Sequence, residues 1–169
     1  MPFSVQFDIL GVKQVNRSLM LSADAIKDLS PVWDDIYDDF LQRSGDVFSS
    51  EGNVGSKSRE LGGGSWGPWA PLNPIYAAQK LARGFGSKIL VRTGRLRDSL
   101  TSRGSADAVF QPQPLRLAVG TKTPYAGYHQ VGTAKMPRRE PVRITEPQAR
   151  FWVRLIQKFI LESGQFVRE

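Results

Sequence analysis

The sequence predicts an α+β fold in a single domain, and three features carry that prediction. Residues 31–48 and residues 145–164 each place apolar side chains at the spacing of an amphipathic helix. Residues 106–119 instead favour two short strands joined by a proline-containing turn. With 169 residues, of which 40% are hydrophobic, the chain has material for one packed core and little room for a second. We therefore expect one domain over residues 1–169.

Two elements are expected before the first of these helices. Polar and apolar residues alternate over residues 3–10, which predicts a strand that ends at Gly11. Residues 12–29 predict a helix with a weaker apolar pattern. Ser30 precedes Pro31, so the next helix is predicted to start there with the serine hydroxyl as its cap.

The helix over residues 31–48 is predicted to be acidic on its outer side. Its aromatic and aliphatic side chains form one stripe, while its aspartates fall mostly on the opposite side. A solvated helix face and a contact surface for a neighbouring protein both fit this pattern. The aspartates that we take as candidate interface residues are Asp34, Asp35, Asp38 and Asp39.

A flexible loop is predicted over residues 49–68, because glycine and serine dominate there and the apolar spacing is lost. The loop carries Trp66, and Trp69 follows it directly. Two tryptophans in such a segment either seal the core or anchor a partner protein.

Shorter elements are expected in the rest of the chain. Residues 73–84 predict a helix that begins at an asparagine and ends at a glycine. Thr93-Gly94 predicts the cap of a second, short helix, whose Leu96 and Leu100 face inward.

The strands of the hairpin are expected at residues 106–110 and 115–119. Residues 121–132 predict a short helical turn at best, and residues 135–143 an exposed basic loop. Thr145 and Gln148, at the start of the predicted C-terminal helix, have the spacing of a capping box.

Composition excludes several kinds of chemistry. The chain has no cysteine and one histidine, His129, which removes disulfides, cysteine-based zinc sites, thiol catalysis and iron–sulfur clusters. No apolar stretch approaches the ~20 residues that cross a bilayer, and the first ten residues do not have the pattern of a secretion signal. We expect a chain without membrane contact and without a secretion signal.

Charge is unevenly distributed along the chain. Lys and Arg number 23 against 16 Asp and Glu, which gives a net charge of +7. Residues 1–60 hold six basic and ten acidic side chains, whereas residues 61–169 hold the other 17 basic and six acidic ones. If the two zones lie on different faces, subunits could meet head to tail, and such contacts close into rings when the rotation allows.

The residues offer little for catalysis. His129 could act as a base, but no serine-elbow pattern or carboxylate motif accompanies it, so a structural role is the alternative. Residues 84–88 lack the glycine spacing of a phosphate-binding loop. The aspartates have the spacing of a solvated helix face and not of a calcium loop. We expect no enzyme activity, no cofactor and no metal.

The middle of the chain resembles the virion-morphogenesis or tail-completion proteins of tailed phages. Six short pieces occur in the order of that family's signature over residues 66–143. They are Trp69-x-Pro71-Leu72, Lys80, Ile89-Leu90-x-x-Thr93-Gly94-x-Leu96-x-x-Ser99-Leu100, Val119-Gly120-Thr121, Tyr125-Ala126-x-x-His129-Gln130-x-Gly132 and Pro137-Arg138-Arg139.

The resemblance implies a small, mostly antiparallel sheet with long N-terminal and C-terminal helices packed on it and extended loops. It also implies a structural protein of the phage neck, made in the host cytoplasm, that joins tail to head without enzyme activity. We expect a ring of about six identical subunits. Its neighbours would be the tail terminator or tail tube and the head-closure or connector proteins, with packaged DNA in the lumen as a further partner.

Within this hypothesis the acidic helix faces one neighbour, basic residues face another protein or DNA, and the glycine-rich loop reaches the adjoining ring. The candidate basic interface residues are Arg95, Arg97, Lys135, Arg138, Arg139 and Arg143. The rival hypothesis is a nonspecific nucleic-acid-binding protein, because Arg and Lys neutralise phosphates without sequence preference.

Overall fold

The computed structural model describes residue 23 and residues 26–54 and 67–165. The predicted strand over residues 3–10 lies outside the described residues. So does most of the predicted helix before residue 30, of which Ala23, Ile26 and Lys27 are helical.

The acidic helix is present and ends one residue later than predicted. A 3-10 turn over Ser30–Val32 leads into α1, which spans Trp33–Ser49. The predicted serine cap is wrong, because the Ser30 hydroxyl caps nothing and the Ser30 amide instead donates to Asp28 Oδ1 at 2.8 Å. A carboxylate two residues earlier can reach the first free amide of the turn, which the serine's own hydroxyl does not.

Two short helices follow at the predicted places. In α2, which spans Pro74–Ala82, Asn73 Oδ1 accepts hydrogen bonds from the next free amides. In α3, which spans Arg95–Thr101, no side chain caps the start. Gly94 precedes α3 with φ +86°, a conformation that glycine adopts without strain, so it contributes backbone freedom and not a cap.

The hairpin is confirmed, with both strands shifted by about two residues from the prediction. β1 spans Ala108–Gln113 and β2 spans Arg116–Thr121, paired antiparallel as the one sheet among the described residues. The turn carbonyls at Gln113 and Pro114 accept hydrogen bonds from the Trp33 indole and the Leu29 amide. These bonds connect the end of the hairpin to the start of α1.

The last two helices complete the fold. Where only a helical turn was predicted, α4 spans Ala126–Val131, and the long C-terminal helix α5 spans Glu146–Gln165. The predicted capping box before α5 is half formed. Thr145 Oγ1 accepts from the Gln148 amide at 3.3 Å, but the Gln148 side chain donates to Asp39 Oδ2 at 3.1 Å.

The core lies on both sides of α1. One cluster joins aromatic residues of α1 to Trp69, Leu96 and Leu100, and a second joins the start of α1 to α5 and the hairpin. The two inward leucines of α3 are confirmed, with exposed fractions of 2% and 0%. The fold is the small α+β fold that the sequence predicts, with a long helix near each end of its described part.

Candidate interaction surface

A cleft of about 1000 Å³ opens between α2, α4 and two connecting segments, residues 90–96 and residues 135–139. Its deepest side chains include Leu96, whose exposed fraction is 2%. Tyr76 and Tyr125 line it with rings that remain partly exposed. A concave surface of this size with an apolar lining is the usual form of a binding site.

The cleft is strongly basic. None of its lining residues is Asp or Glu, although the described residues contain many carboxylates elsewhere. The cationic residues that line it are Lys80, Arg92, Arg95, Lys135 and Arg139. A concave surface that carries one sign of charge focuses its field and attracts groups of the opposite charge.

Lys80 is buried in the cleft in a way that the helix pattern does not explain. It is 4% exposed and is the one buried residue of α2, whereas Ile75 and Leu81 of the same helix are 71% and 55% exposed. Its ammonium donates a hydrogen bond to the Lys88 carbonyl. Burial lowers the pKa of Lys80, against a weaker opposing effect of Glu51.

Arg139 forms the opposite part of the cleft. It was expected in an exposed basic loop, and this expectation is wrong for residues 139–141, which are buried. The Arg139 guanidinium donates to the carbonyls of Ala70 and Pro71, each at 2.7 Å. It thereby fixes the segment before α2, and burial lowers its pKa.

His129 also lines the cleft. Its carbonyl accepts from the Arg139 amide at 2.9 Å, and its ring forms a T-shaped contact with the Tyr125 ring at 6.1 Å between centroids. Burial, and then the charge of Arg139, lowers the pKa of His129. Its Nδ1 is buried and has no hydrogen-bond partner among the described residues.

The remaining cations lie at the edge of the cleft. Arg92 stacks over the Phe85 ring at 4.9 Å, and Lys135 is exposed. Arg95 forms a two-pronged ion pair with Asp107, which lowers the pKa of that carboxyl and raises that of Arg95.

The outer face of α1 carries less free negative charge than predicted. Arg103 donates to Asp34 Oδ1 at 2.7 Å and to Asp38 Oδ1 at 2.9 Å. Asp39 is turned inward, where its carboxylate accepts from the Trp152 indole at 2.7 Å. Asp35 is exposed as predicted. The sequence did not reveal Arg103 as the partner, because 65 residues separate it from Asp38.

Trp69 seals the core, which decides between the two roles predicted for it. It is 4% exposed, its ring meets Phe48 edge-on at 5.3 Å, and its indole donates to the Glu140 carbonyl at 3.0 Å. Trp66 lies outside the described residues, as do residues 55–65 of the predicted loop. Residues 49–54 form turns that hydrogen bond back onto α1.

The other predicted basic residues fall into two groups. Arg143 is nearly buried, donates to the carbonyls of Gly52 and Gly67 and so supports the ends of the predicted loop. Arg97 and Arg138 are exposed and pair with the carboxylates Asp98 and Glu140.

The structure therefore brings three predicted residues, Arg95, Lys135 and Arg139, into one cleft and adds two that sequence reasoning missed. Lys80 was named only as a piece of the family resemblance and not as an interface residue, although it is the one charged residue of α2 and so carried a signal. Arg92 carried no such signal, since it stands in an irregular segment whose path only the fold sets.

The described residues contain neither a metal-ligating cluster nor a membrane-spanning helix. No three or more metal-ligating side chains come together there. None of the described helices has both the length and the apolar character that crossing a bilayer requires.

Comparison with protein families matches residues 62–156 to the phage virion morphogenesis family. This stretch is more than half of the 169 residues, and it contains the whole cleft. Neither the curated proteins nor the solved structures include a significant match. The resemblance carried by the six sequence pieces is thus confirmed, and the chain belongs to the phage virion morphogenesis family.

Proposed function

We propose that this chain is a structural protein of the phage neck that completes the tail and joins it to the head. Family membership supports a role in the virion, and the proposal adds the place and the action. About six copies form a ring between the tail tube or terminator and the head-closure or connector proteins. The chain is made in the host cytoplasm and remains in the virion.

The observation that carries this proposal is the combination of a charged cleft with exposed apolar side chains. The helices that flank the cleft expose Ile75, Leu81, Tyr128 and Val131, four large apolar residues. Apolar residues among charged ones are typical of surfaces that partner proteins cover. The predicted contact of α1 with a neighbour stays a prediction, and Arg103 reduces the negative charge available for it.

We also propose that the chain performs no catalysis. A histidine base needs a nucleophile or substrate on one side and an orienting group on the other. Among the described residues, the His129 ring contacts the edge of Tyr125, and its Nδ1 has no hydrogen-bonding orienter. Arg139 nearby disfavours the charged form that a general base must adopt during proton transfer.

Electron microscopy of particles assembled without this protein tests the neck role. We expect filled heads and separate tails of normal length, and we expect the purified protein to restore joined particles when added to the mixture. Joined, infectious particles in its absence would contradict the proposal, as would tails that fail to form.

The rival function, nonspecific nucleic-acid binding, is favoured by the absence of carboxylates from the cleft. Phosphate contacts make affinity fall steeply with salt. Titration with labelled duplex and single-stranded DNA at low and high salt tests this rival. An absence of DNA binding at low salt would exclude it, because nonspecific nucleic-acid binding needs such affinity and the neck role does not.

A further inference from the structure

We propose that the basic cleft between α2 and α4 binds an acidic segment of another virion protein through carboxylates and one aromatic or aliphatic side chain. The claim that the segment belongs to a virion protein rests on the proposed function. The claim that the segment is acidic and carries an apolar side chain rests on the cleft alone.

The first support is positive charge that has little compensation, since only a weak effect of Glu51 reaches Lys80. Among the described residues, no carboxylate forms an ion pair with Lys80, Arg92, Lys135 or Arg139, whereas Arg95 is paired. Two of the four, Lys80 and Arg139, are buried and have carbonyl oxygens as their hydrogen-bond partners. Carbonyls satisfy donors but do not neutralise a buried cation, so a carboxylate that enters the cleft gains from an existing field.

The second support is the apolar part of the lining. Tyr76 and Tyr125 remain 44% and 39% exposed, and Leu96 and Met136 also line the cleft. Such surfaces hold the aromatic or aliphatic anchor of a peptide. The backbone of duplex DNA offers phosphates and sugars and no comparable apolar group, so a peptide matches both parts of the lining.

The third support separates another protein from a second copy of this chain. The acidic residues of α1 are the obvious source within the chain, but Arg103 pairs with Asp34 and Asp38, and Asp39 is occupied by Trp152. A second copy could offer Asp35 and Asp46, which are exposed, but about 16 Å of helix separates them, and its other α1 aspartates would have to break these contacts. A partner protein with an unpaired acidic segment can bind without breaking such contacts.

The test uses the full chain and a short labelled peptide that alternates aspartate with phenylalanine and leucine. We expect fluorescence anisotropy to detect binding that weakens as salt rises, and the same peptide with asparagine for aspartate to bind about tenfold more weakly or worse. Equal binding of the two peptides, or binding of neither, would overturn the proposal.

Paired substitutions locate the binding site. R92Q with K135Q removes two exposed cations of the cleft and should weaken peptide binding at least about tenfold. The matched control, R116Q with K158Q, removes two exposed cations that do not line the cleft and should leave binding unchanged. The same loss in both variants would show general charge attraction and overturn the proposal.

His129 provides a signal inside the cleft because the chain has no other histidine. Its imidazole resonances should shift when the aspartate peptide is added, and the carboxylates should raise its titration midpoint. Tighter binding and an equal shift with duplex DNA would assign the cleft to nucleic acid instead. Loss of self-association in the cleft variant, with no peptide binding by the wild type, would assign it to a second copy.

Particle assembly separates this inference from the proposed function. A cleft variant that no longer binds the peptide should also fail to join heads to tails. If that variant joins them normally while protein-free mixtures do not, the neck role stands and the cleft inference fails. If joined particles form without any protein, the neck role itself fails.

Discussion

Arg103 lies on the outer side of α1 and changes what that helix presents to a neighbour. Its guanidinium pairs with Asp34 and Asp38 and also lies over the rings of Tyr37 and Phe110, at 4.9 and 5.8 Å. Each exposed ion pair is weak, but the same cation also covers two aromatic rings. A surface that the sequence predicts as acidic is therefore partly neutralised by an ion-pair network between α1 and the segment after α3.

Gly52 stands at a position that only glycine fits without strain. Its φ is +84°, and a Cβ there would come within 2.6 Å of the Trp69 ring. We expect G52A to lower the free energy of unfolding by about 2–4 kcal/mol, because strain and overpacking add. Urea denaturation measures the loss.

Gly45 provides the matched control for that change. It lies inside α1, and a Cβ added there would have no neighbouring atom within 4 Å, so G45A should stabilise the chain by about 0.5–1 kcal/mol. Equal effects of the two substitutions would contradict the tight contact between Gly52 and Trp69.

His129 makes stability depend on pH in a defined direction. Its folded-state pKa lies below the unfolded value of 6.5, so below that value the unfolded chain binds a proton that the folded chain does not. Stability should fall as pH drops below about 7.5 and through 6.5 toward the lower folded-state pKa, and stay level above that range. The lowered pKa values of Asp28 and Asp107 place their titration below this window.

The urea midpoint measured across this window checks the prediction, with H129Q as the comparison. The variant should lose the dependence on pH, since glutamine does not titrate and the Nδ1 that it replaces has no partner among the described residues. A wild type and variant with the same slope would show that another group is responsible.

At the scale of elements, the two ends of the cleft are held in different ways. On one side α2 depends on its cap, where Asn73 Oδ1 accepts from the amides of Ile75 and Tyr76 at 3.0 and 3.3 Å. On the other side Arg139 connects the segment after α4 to the two residues before Leu72. The shape of the cleft thus depends on backbone hydrogen bonds more than on packing of α2, whose apolar residues are exposed.

Removal of the cap should therefore affect α2 in particular. We expect N73A to reduce stability by about 1 kcal/mol and to speed hydrogen exchange at the first amides of α2. N73D should retain the cap and remain close to the wild type. Unchanged exchange in N73A would show that the carbonyl contacts of Arg139 suffice to hold the helix start.

At the scale of the whole molecule, the family match and the folding unit differ in extent. The match begins at residue 62, yet α1, which precedes it, supplies Tyr37, Phe40 and Phe48 to the core around Trp69. The part of the chain with the family signature therefore contains the cleft but only part of the core beneath it.

A fragment of residues 62–169 should fail to fold cooperatively, because loss of α1 exposes the apolar faces that it covers. Near-ultraviolet circular dichroism and thermal unfolding measure this. Co-expression with residues 26–54 should restore a cooperative transition. A fragment that unfolds cooperatively without α1 would contradict the core assignment.

Much of the fold follows from local patterns. Periodicity predicted α1 and α5, the Asn-Pro pair predicted α2, and alternating residues around prolines predicted the hairpin. Patterns within a few residues carry this information because helix and strand periods and caps are local. The full capping box did not form because Asp39, which is distant in the chain, accepts from the Gln148 side chain. The serine cap did not form, and Asp28 accepts from the Ser30 amide instead.

By itself, the sequence determined the α+β class, the inward leucines of α3 and the family. Only the tertiary structure decided which charges are free. It paired the acidic face with Arg103, buried Trp69 and Arg139, and gathered cations from three segments into a cleft without a carboxylate. The reason is physical: the charge that a surface presents depends on contacts between residues far apart in the chain, which no local spacing encodes.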